Sequence, residues 1–355
     1  MRVALIGPPQ SGKSTLFAAV AAAGGSHIDL SRPDLPHLAN VKVPDTRLDW
    51  LAEHFEPKKV TPAELEFLDL PGLDLSSEAG RTRARGHVAE MRNCDMLVIV
   101  VRAFDNPAVP AYRDRTDPAA DVEELLAELL FADLEQVTAR VEKLEAAVKK
   151  PTADRDAHLR ELELMKRLAE GLENEKRIFD VVESESESKL LRSFAFLSEK
   201  PALVVVNCGE DQLAEPAEPV AGLTTLKLSA RIEEEIAELP AEERAEFLAD
   251  LGIEAGARDV LIRACYQRCN LISFLTAGPD ECRAWSIPAG TDAVTAAEEI
   301  HSDIARGFIR AETVSFEDLR AAGSEKAAKA AGKTRLEGKQ YVVQDGDVIY
   351  FRFNV

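Results

Sequence analysis

The sequence predicts an α/β fold: a doubly wound, mostly parallel sheet, interrupted by a helical hairpin and followed by a small α+β unit. Three observations carry this. Short apolar runs of strand type alternate with helical segments from the first residues onward. Leucines and valines then recur at alternating three- and four-residue steps from Asp121 onward. Strand character returns with "PALVVVNCGED", so the helical stretch is an insertion within the sheet.

The first run, "RVALIG", leads straight into "GPPQSGKST", Gly7–Thr15. The spacing Gly-x-x-x-x-Gly-Lys-Ser puts Gly7, Gly12, Lys13 and Ser14 in the register of a phosphate loop. Small residues let successive backbone N–H groups turn inward on phosphate oxygens. Lys13 would reach the terminal phosphates, and the Ser14 hydroxyl would take a place on Mg2+. "KSTLFAAVAAA" places Leu16, Phe17 and Val20 at helical spacing, so the phosphates would meet a helix N-terminus. The alternative, a Gly/Ser turn between two core elements, does not account for strand, loop and helix occurring together.

"GGSHIDLSRPDLPHLAN" reads as a long loop, and "VKVPDTRLDWLAEHF" as a short strand, a Pro-Asp turn and an amphipathic helix. "ELEFLDLPGL" is a strand ending at Asp69, and "CDMLVIVVRAF" a strand buried on both faces. Leu126, Leu130, Leu134, Val137, Val141, Leu144 and Val148 form the first seam of the hairpin. After a break at Pro151, Leu159, Leu162, Met165, Ala169 and Leu172 form the second. "ESESES", Glu183–Ser188, reads as a solvated link back to the sheet, where "TTLKLSA" adds a further strand. Near residue 271 another unit begins. "NLISFLTAG" and "RAWSIPAGT" are strands about a Gly-Pro-Asp turn, "TAAEEIHSDIARGF" is a helix, and "QYVVQDGDVIYFRF" is a hairpin about an Asp-Gly turn. This pattern is of ubiquitin-like type. The expected boundaries are 1–121 and 200–271 for the nucleotide-binding domain, 122–199 for the helical coiled-coil insertion and 272–355 for the C-terminal domain.

The chain has 355 residues, 46% of them hydrophobic and 30% charged, which suits a globular protein with a substantial core. No apolar run approaches membrane-spanning length and no cleavable targeting segment is expected, so the expected location is cytoplasmic. Cys265 and Cys269 lack a zinc-ribbon spacing and a nearby histidine, and all five cysteines read as reduced thiols. A net charge of −20 repels nucleic acid on average, so RNA contact needs a local basic patch. Lys326, Lys329, Lys333, Arg335 and Lys339, against Glu325 and Glu337, form one candidate, and a solvated surface is the plainer alternative.

Asp69-x-x-Gly72 supplies the second piece of a nucleotide site: the Asp orients a water on Mg2+, and the Gly N–H faces the terminal phosphate. The third piece reads the base. GTPases carry Asn-Lys-x-Asp after a buried strand, whereas this chain has Asn207-Cys208-Gly209-Glu210. The Lys is missing, Glu stands for Asp, and Asp211 comes one residue too late, so guanine selectivity is not expected. Ser229-Ala230-Arg231 sits where a Ser-Ala-Lys loop touches the base through its backbone.

These strings resemble the YchF/Obg-like ATPase family over nearly the whole chain. The resemblance includes "VPDTRLDWLAE", "FLDLPGL", the Asn-x-x-Glu element, "IRACYQRCNLISFLTAGPDECRAWSIPAGT", "AAGKTRLEGKQYVVQDGDV" and the terminal "FNV". It implies ATP over GTP, Mg2+ as cofactor, a coiled-coil insertion, a C-terminal β-grasp TGS domain, and the ribosome or RNA as partner, with no DNA specificity, no membrane contact and a monomeric chain. The implied site is Lys13, Asp69 and Gly72 for catalysis and Ser14 and Asp69 for the metal. Nucleotide binding falls to Gly7, Pro8, Pro9, Gln10, Ser11, Gly12, Lys13, Ser14 and Thr15 with Asn207, Glu210, Ser229 and Ala230. Gln10-Ser11 replaces the family's Asn-Val, and Pro33 or a neighbour stands where its first switch has Thr, with Ser31 the nearby hydroxyl. Ala111 stands where members carry a His, and "GRTRARGH" replaces a Gly-rich second switch. Leu73 after Asp-x-x-Gly is typical of the family. Arg81, Arg83, Arg85 and His87 are candidates to replace the missing groups, or else face solvent or a partner. A slow ATPase switch is the expected function, an ATP-loaded interaction module without hydrolysis the alternative, and an ordinary GTPase a second one.

Overall fold

The computed structural model describes residues 1–23, 28–151, 153–250 and 256–354; the start of the expected first loop (24–27) and the final Val355 lie outside them. The first seven strands are β1 (Arg2–Ile6), β2 (His37–Lys42), β3 (Lys59–Thr61), β4 (Glu64–Asp69), β5 (Met96–Arg102), β6 (Ala202–Asn207) and β7 (Thr225–Leu228). Six of them form one sheet in the order β2-β4-β1-β5-β6-β7. From β4 to β7 every pairing is parallel. All residues of β5 and β6 are buried, as their unbroken apolar runs require of strands covered on both faces. From β1 the chain goes to the edge strand β2 and comes back to β4 on the same side of β1, then crosses to β5 on the other side. The phosphate loop therefore leaves the sheet where strand order reverses, the usual ligand position in open α/β sheets.

Helices α1 (Lys13–Ala23), α2 (Thr46–Phe55), α3 (Glu78–Gly86) and α4 (Val88–Arg92) follow in order. Leu16, Phe17 and Val20 of α1 are buried, as the spacing predicts. Two helices then make the insertion, α5 (Pro118–Ala147) and α6 (Arg155–Glu173). Asp117 caps the first, its carboxylate accepting from Ala120 N at 3.1 Å. The seam differs from the expected one in two places. The first half of α5 buries Val122, Leu125 and Leu129 in the sheet's core cluster, while Leu126 is only partly buried there. In α6, Leu159 is exposed, and Leu164 and Leu168 are buried beside Leu162, Met165 and Leu172. Arg140 and Glu161 join the two helices through two hydrogen bonds of 2.7 and 2.9 Å.

α7 (Ile178–Val181) and α8 (Glu185–Leu191) lead back to the sheet. The expected solvated link is thus largely helical: Ser184 caps α8, its hydroxyl accepting from Glu187 N at 3.3 Å, and Glu185 and Glu187 in the first turn suit the helix dipole. The return is pinned by Asp133 of α5, a fully buried carboxylate. It accepts from Leu197 N at 3.0 Å, Ser198 N at 2.7 Å and Ser198 Oγ at 2.8 Å, and pairs with Arg92 at 3.2 Å. The chain continues through α9 (Ala230–Glu238), α10 (Ala241–Asp250) and α11 (Ala257–Arg268), where Cys265 is buried and its thiol is pushed up by that burial.

The C-terminal strands are β8 (Leu271–Thr276), β9 (Glu281–Pro288), β10 (Phe308–Ser315), β11 (Arg335–Glu337) and β12 (Asp347–Phe353), with α12 (Ala293–Ile300), α13 (Ser302–Arg306), α14 (Phe316–Ala322) and α15 (Glu325–Ala330). Their sheet runs β11-β10-β12-β8-β9-β3, with β12 parallel to β8 and antiparallel to β10. The expected hairpin about Asp345-Gly346 does not form, because the backbone of 341–343 bonds to 291–293 instead. The antiparallel partner of β12 is β10, from Phe308↔Phe353 to Ser315↔Asp347. The expected single helix after residue 291 is two, broken at His301, whose extended backbone (φ −167°) and ring Nδ1 cap the second.

The chain divides into two compact units, Met1–Ala39 with Glu66–Arg258 and Asn40–Leu65 with Asp259–Val355. Segment 40–65, expected with the phosphate loop, falls in the second unit, where β3 pairs with β9 and Arg47 binds Asp345 at 2.8 Å. Among the described residues no helix is long and apolar enough to cross a membrane.

Asp133→Ala strands two buried N–H groups and removes the carboxylate paired with Arg92, which keeps the carbonyls of Ala132, Phe194 and Ala195, so it is expected to destabilise the first unit by about 3 kcal/mol. Urea unfolding followed by circular dichroism measures this, and a midpoint equal to the native one contradicts it.

Candidate nucleotide site

Gln10 (φ +61°) and Gly12 (φ +80°) turn the backbone of the loop through the left-handed region, a conformation that points successive N–H groups to one side. The α1 helix begins at Lys13, so its first-turn N–H groups have no intrahelical acceptor. Ser11 Oγ is buried and has no hydrogen-bond partner among the described residues. A phosphate group fits this combination of open donors. Gly72 approaches the loop so closely that a Cβ there would lie 2.8 Å from Pro9 Cα, and Leu73 N donates to Gly7 O at 2.9 Å.

Lys13 is buried, and its Nζ donates to Asp69 Oδ1 and to Leu70 O. Burial lowers the pKa of its ammonium, and the Asp69 carboxylate acts in the opposite direction. Asp69 is also buried, at the end of β4, and its Oδ2 lies 4.0 Å from His37 Nδ1. The arrangement brings together the residues expected on the phosphate and metal side: Lys13, Asp69 and Gly72.

The side expected to meet the base is held by Asn207, the last residue of β6. Its Nδ2 donates to Ser11 O at 2.9 Å and its Oδ1 accepts from Ala230 N at 3.0 Å. This carboxamide ties the phosphate loop to the Ser229–Arg231 loop, so its contribution to a nucleotide runs largely through those two segments. A cleft of about 760 Å³ opens beside it, large enough for a nucleoside. Gln10, Gly12, Thr15, Asn207, Glu210, Ser229 and Ala230 line it; Lys13, Ser14 and Asp69 do not. Glu210 is exposed at the start of a short 3-10 turn, Glu210–Gln212. Cys208 is buried at the cleft, and its thiol is pushed up by that burial.

Sequence reasoning missed the loop after β5. Arg102 closes that strand buried, its guanidinium donating to Phe104 O at 3.1 Å and Val109 O at 3.0 Å and lying 4.3 Å from the Phe104 ring centre. Phe104 lines the cleft. An arginine ending an otherwise apolar, fully buried strand was the signal available. The three candidate arginines of the second switch are engaged elsewhere. Arg85 pairs with Glu128 at 3.0 Å, Arg83 approaches Asp74 at 3.9 Å, and Arg81 donates to Leu75 O at 3.1 Å. His87 sits between α3 and α4 with its Nδ1 buried, and Leu73 is buried in the core.

Known proteins match along the whole chain. Residues 271–354 match the domain family YchF-GTPase_C, described as a protein of unknown function, and residues 2–143 match MMR_HSR1, described as a 50S ribosome-binding GTPase. The "Ribosome-binding ATPase YchF" of Bacillus subtilis is 41% identical over 99% of this chain and 98% of its own length. That of Escherichia coli O157:H7 is 37% identical with the same coverage. The "Obg-like ATPase 1" of Oryza sativa subsp. japonica is 35% identical over 100% of this chain and 92% of its own. Among solved structures, the Schizosaccharomyces pombe YchF GTPase superposes with a TM-score of 0.87 at 29% identity, covering 99% of this chain and 97% of that one. A GTP binding protein from Pyrococcus horikoshii OT3, at 16% identity and a TM-score of 0.61, shares the fold. With this likeness running end to end, the chain belongs to the YchF family.

Proposed function

We propose that this protein binds ATP with Mg2+, hydrolyses it slowly, and uses the nucleotide state as a switch while associated with the ribosome. The observation that carries the reading is the base loop: Glu210 lines the cleft where a guanine-reading aspartate would stand. A carboxylate one methylene longer does not hold two hydrogen bonds to guanine from the same backbone position. The names of the relatives support ATP and the ribosome; the Schizosaccharomyces pombe protein is called a GTPase, which is the reason to test both bases.

In this reading the Gly7–Thr15 loop cradles the phosphates, Lys13 exchanges Asp69 for phosphate oxygens, and the Gly72 N–H meets the terminal phosphate. Ser14 and Asp69 would hold Mg2+, which neutralises charge developing on the transferred phosphoryl group. Ser229 and Ala230 offer backbone to the base, and Phe104 gives it an aromatic wall. Slow turnover follows from what is engaged elsewhere: Leu73 in the core and the arginines of α3 on Asp74, Glu124 and Glu128. Positioning of the attacking water is most of what a protein adds to this chemistry. The same observation supports the second reading, an ATP-loaded interaction module without turnover. Under either, residues 122–199 and the TGS-like 272–355 present surfaces to the partner.

Calorimetric titration is expected to give tighter binding of ATP and ADP than of GTP and GDP; a clear guanine preference contradicts the reading. Replacing Lys326, Lys329, Lys333 and Lys339 by Gln is expected to weaken cosedimentation with ribosomes and leave ATP affinity unchanged. Lys329 already pairs with Glu312 at 3.3 Å and Lys333 with Asp318 at 3.0 Å. The salt slope should therefore fall by about the worth of two phosphate contacts and not four. Superimposable binding curves would return the patch to plain solvated surface.

A further inference from the structure

We infer that His37 is a positioning residue on the metal side of the phosphate site, where it and Asp69 together seat a water bound to the divalent cation. The inference rests on the nucleotide reading above and adds to it a residue that neither the phosphate loop nor the Asp-x-x-Gly element contains.

β2 lies beside β4 in the sheet, and the side chain of its first residue, His37, comes to that of the last residue of β4, Asp69. Lys13 occupies Asp69 Oδ1, and Oδ2 faces His37 Nδ1 at 4.0 Å. That distance is too long for a direct hydrogen bond. It is close to the separation of about 4.4 Å at which a single water donates one proton to each of two acceptors about 2.8 Å away. A water held so turns its lone pairs outward, as binding to a cation requires. With the proton on Nε2, Nδ1 is the acceptor this needs. Both side chains are sheltered, His37 at 14% and Asp69 at 2% exposure, so such a water exchanges little with solvent.

The segment before β2 gives the arrangement its purpose. Residues 31–36, "SRPDLP", are all exposed, and their one hydroxyl, on Ser31, belongs to that exposed run. Among the described residues of this segment, neither Ser31 nor Asp34 is buried against the phosphate site. His37 is the first residue after it that is drawn against the site, because β2 is held to β4. Groups that hold a metal's water, and do not touch the metal, tune its affinity by about 10- to 100-fold.

The test is a titration of full-length protein with ADP at stepped Mg2+ concentrations and in EDTA, for the native chain, His37→Ala and His37→Asn. His37→Ala should raise the Mg2+ concentration needed for half-maximal ADP binding about tenfold, with ADP affinity in EDTA unchanged. His37→Asn, whose amide oxygen lies near the position of Nδ1, should recover most of the loss. A His37→Ala curve overlying the native one overturns the inference. So does a loss of equal size in Mg2+ and in EDTA, which would mark His37 as structural. A native chain that binds no ADP, or binds it independently of Mg2+, brings down the nucleotide reading itself and this inference with it.

Discussion

The Asn207 carboxamide is the interaction on which the proposed nucleotide site depends. Its two hydrogen bonds, to Ser11 O and from Ala230 N, fasten the phosphate loop after β1 to the loop after β7. Two adjacent facts make it effective. Asn207 closes β6, whose residues are all buried, so its backbone does not move independently of the sheet. Gly12 leaves the room it occupies, since a Cβ at that position would overlap Asn207 Nδ2. The phosphate loop therefore owes its shape to its own glycines and to a side chain 196 positions away in the sequence. A buried amide with both ends satisfied is costly to disturb, because either loop would be left with an unpaired polar group.

Around this staple the unit uses buried charge sparingly. Lys13 and Asp69 neutralise each other at the phosphate side, Arg102 caps loop carbonyls after β5, and Asp133 and Arg92 fix the return from the helical insertion. Each of these buried ions has a partner or a set of backbone groups, as low dielectric demands. Most of the net charge of −20 lies on the surface, where it sets which macromolecules approach. In the second unit, Lys329 and Arg352 both bind Glu312, so even its basic residues are partly engaged within the sheet.

Much of this was legible in the sequence where a backbone requirement forces the residue. Glycines at fixed spacing, an apolar run that must be buried on both faces, and a leucine seam gave the phosphate loop, β5, β6 and the hairpin. What escaped has physical causes. β10 turns only small groups, Ala311 and Thr313, to the core between Phe308 and Val314, so its apolar signal is faint. Conversely "YVV" at 341–343 has strand composition, but its backbone is consumed by residues 291–293. The charges of 183–188 hid a helix that Ser184 caps. Arg102 and His37 lie beside groups that only the fold brings near, and no local pattern encodes such a juxtaposition.

The central claim is that a single carboxamide joins the phosphate and base loops into one nucleotide site. Calorimetric measurement of ADP affinity in Asn207→Ala, alongside its thermal unfolding, tests it most directly. The account predicts that affinity falls at least about tenfold, the worth of one buried hydrogen bond of about 1.4 kcal/mol, while the folded unit survives with its circular dichroism intact. A variant that binds ADP as tightly as the native chain would contradict it.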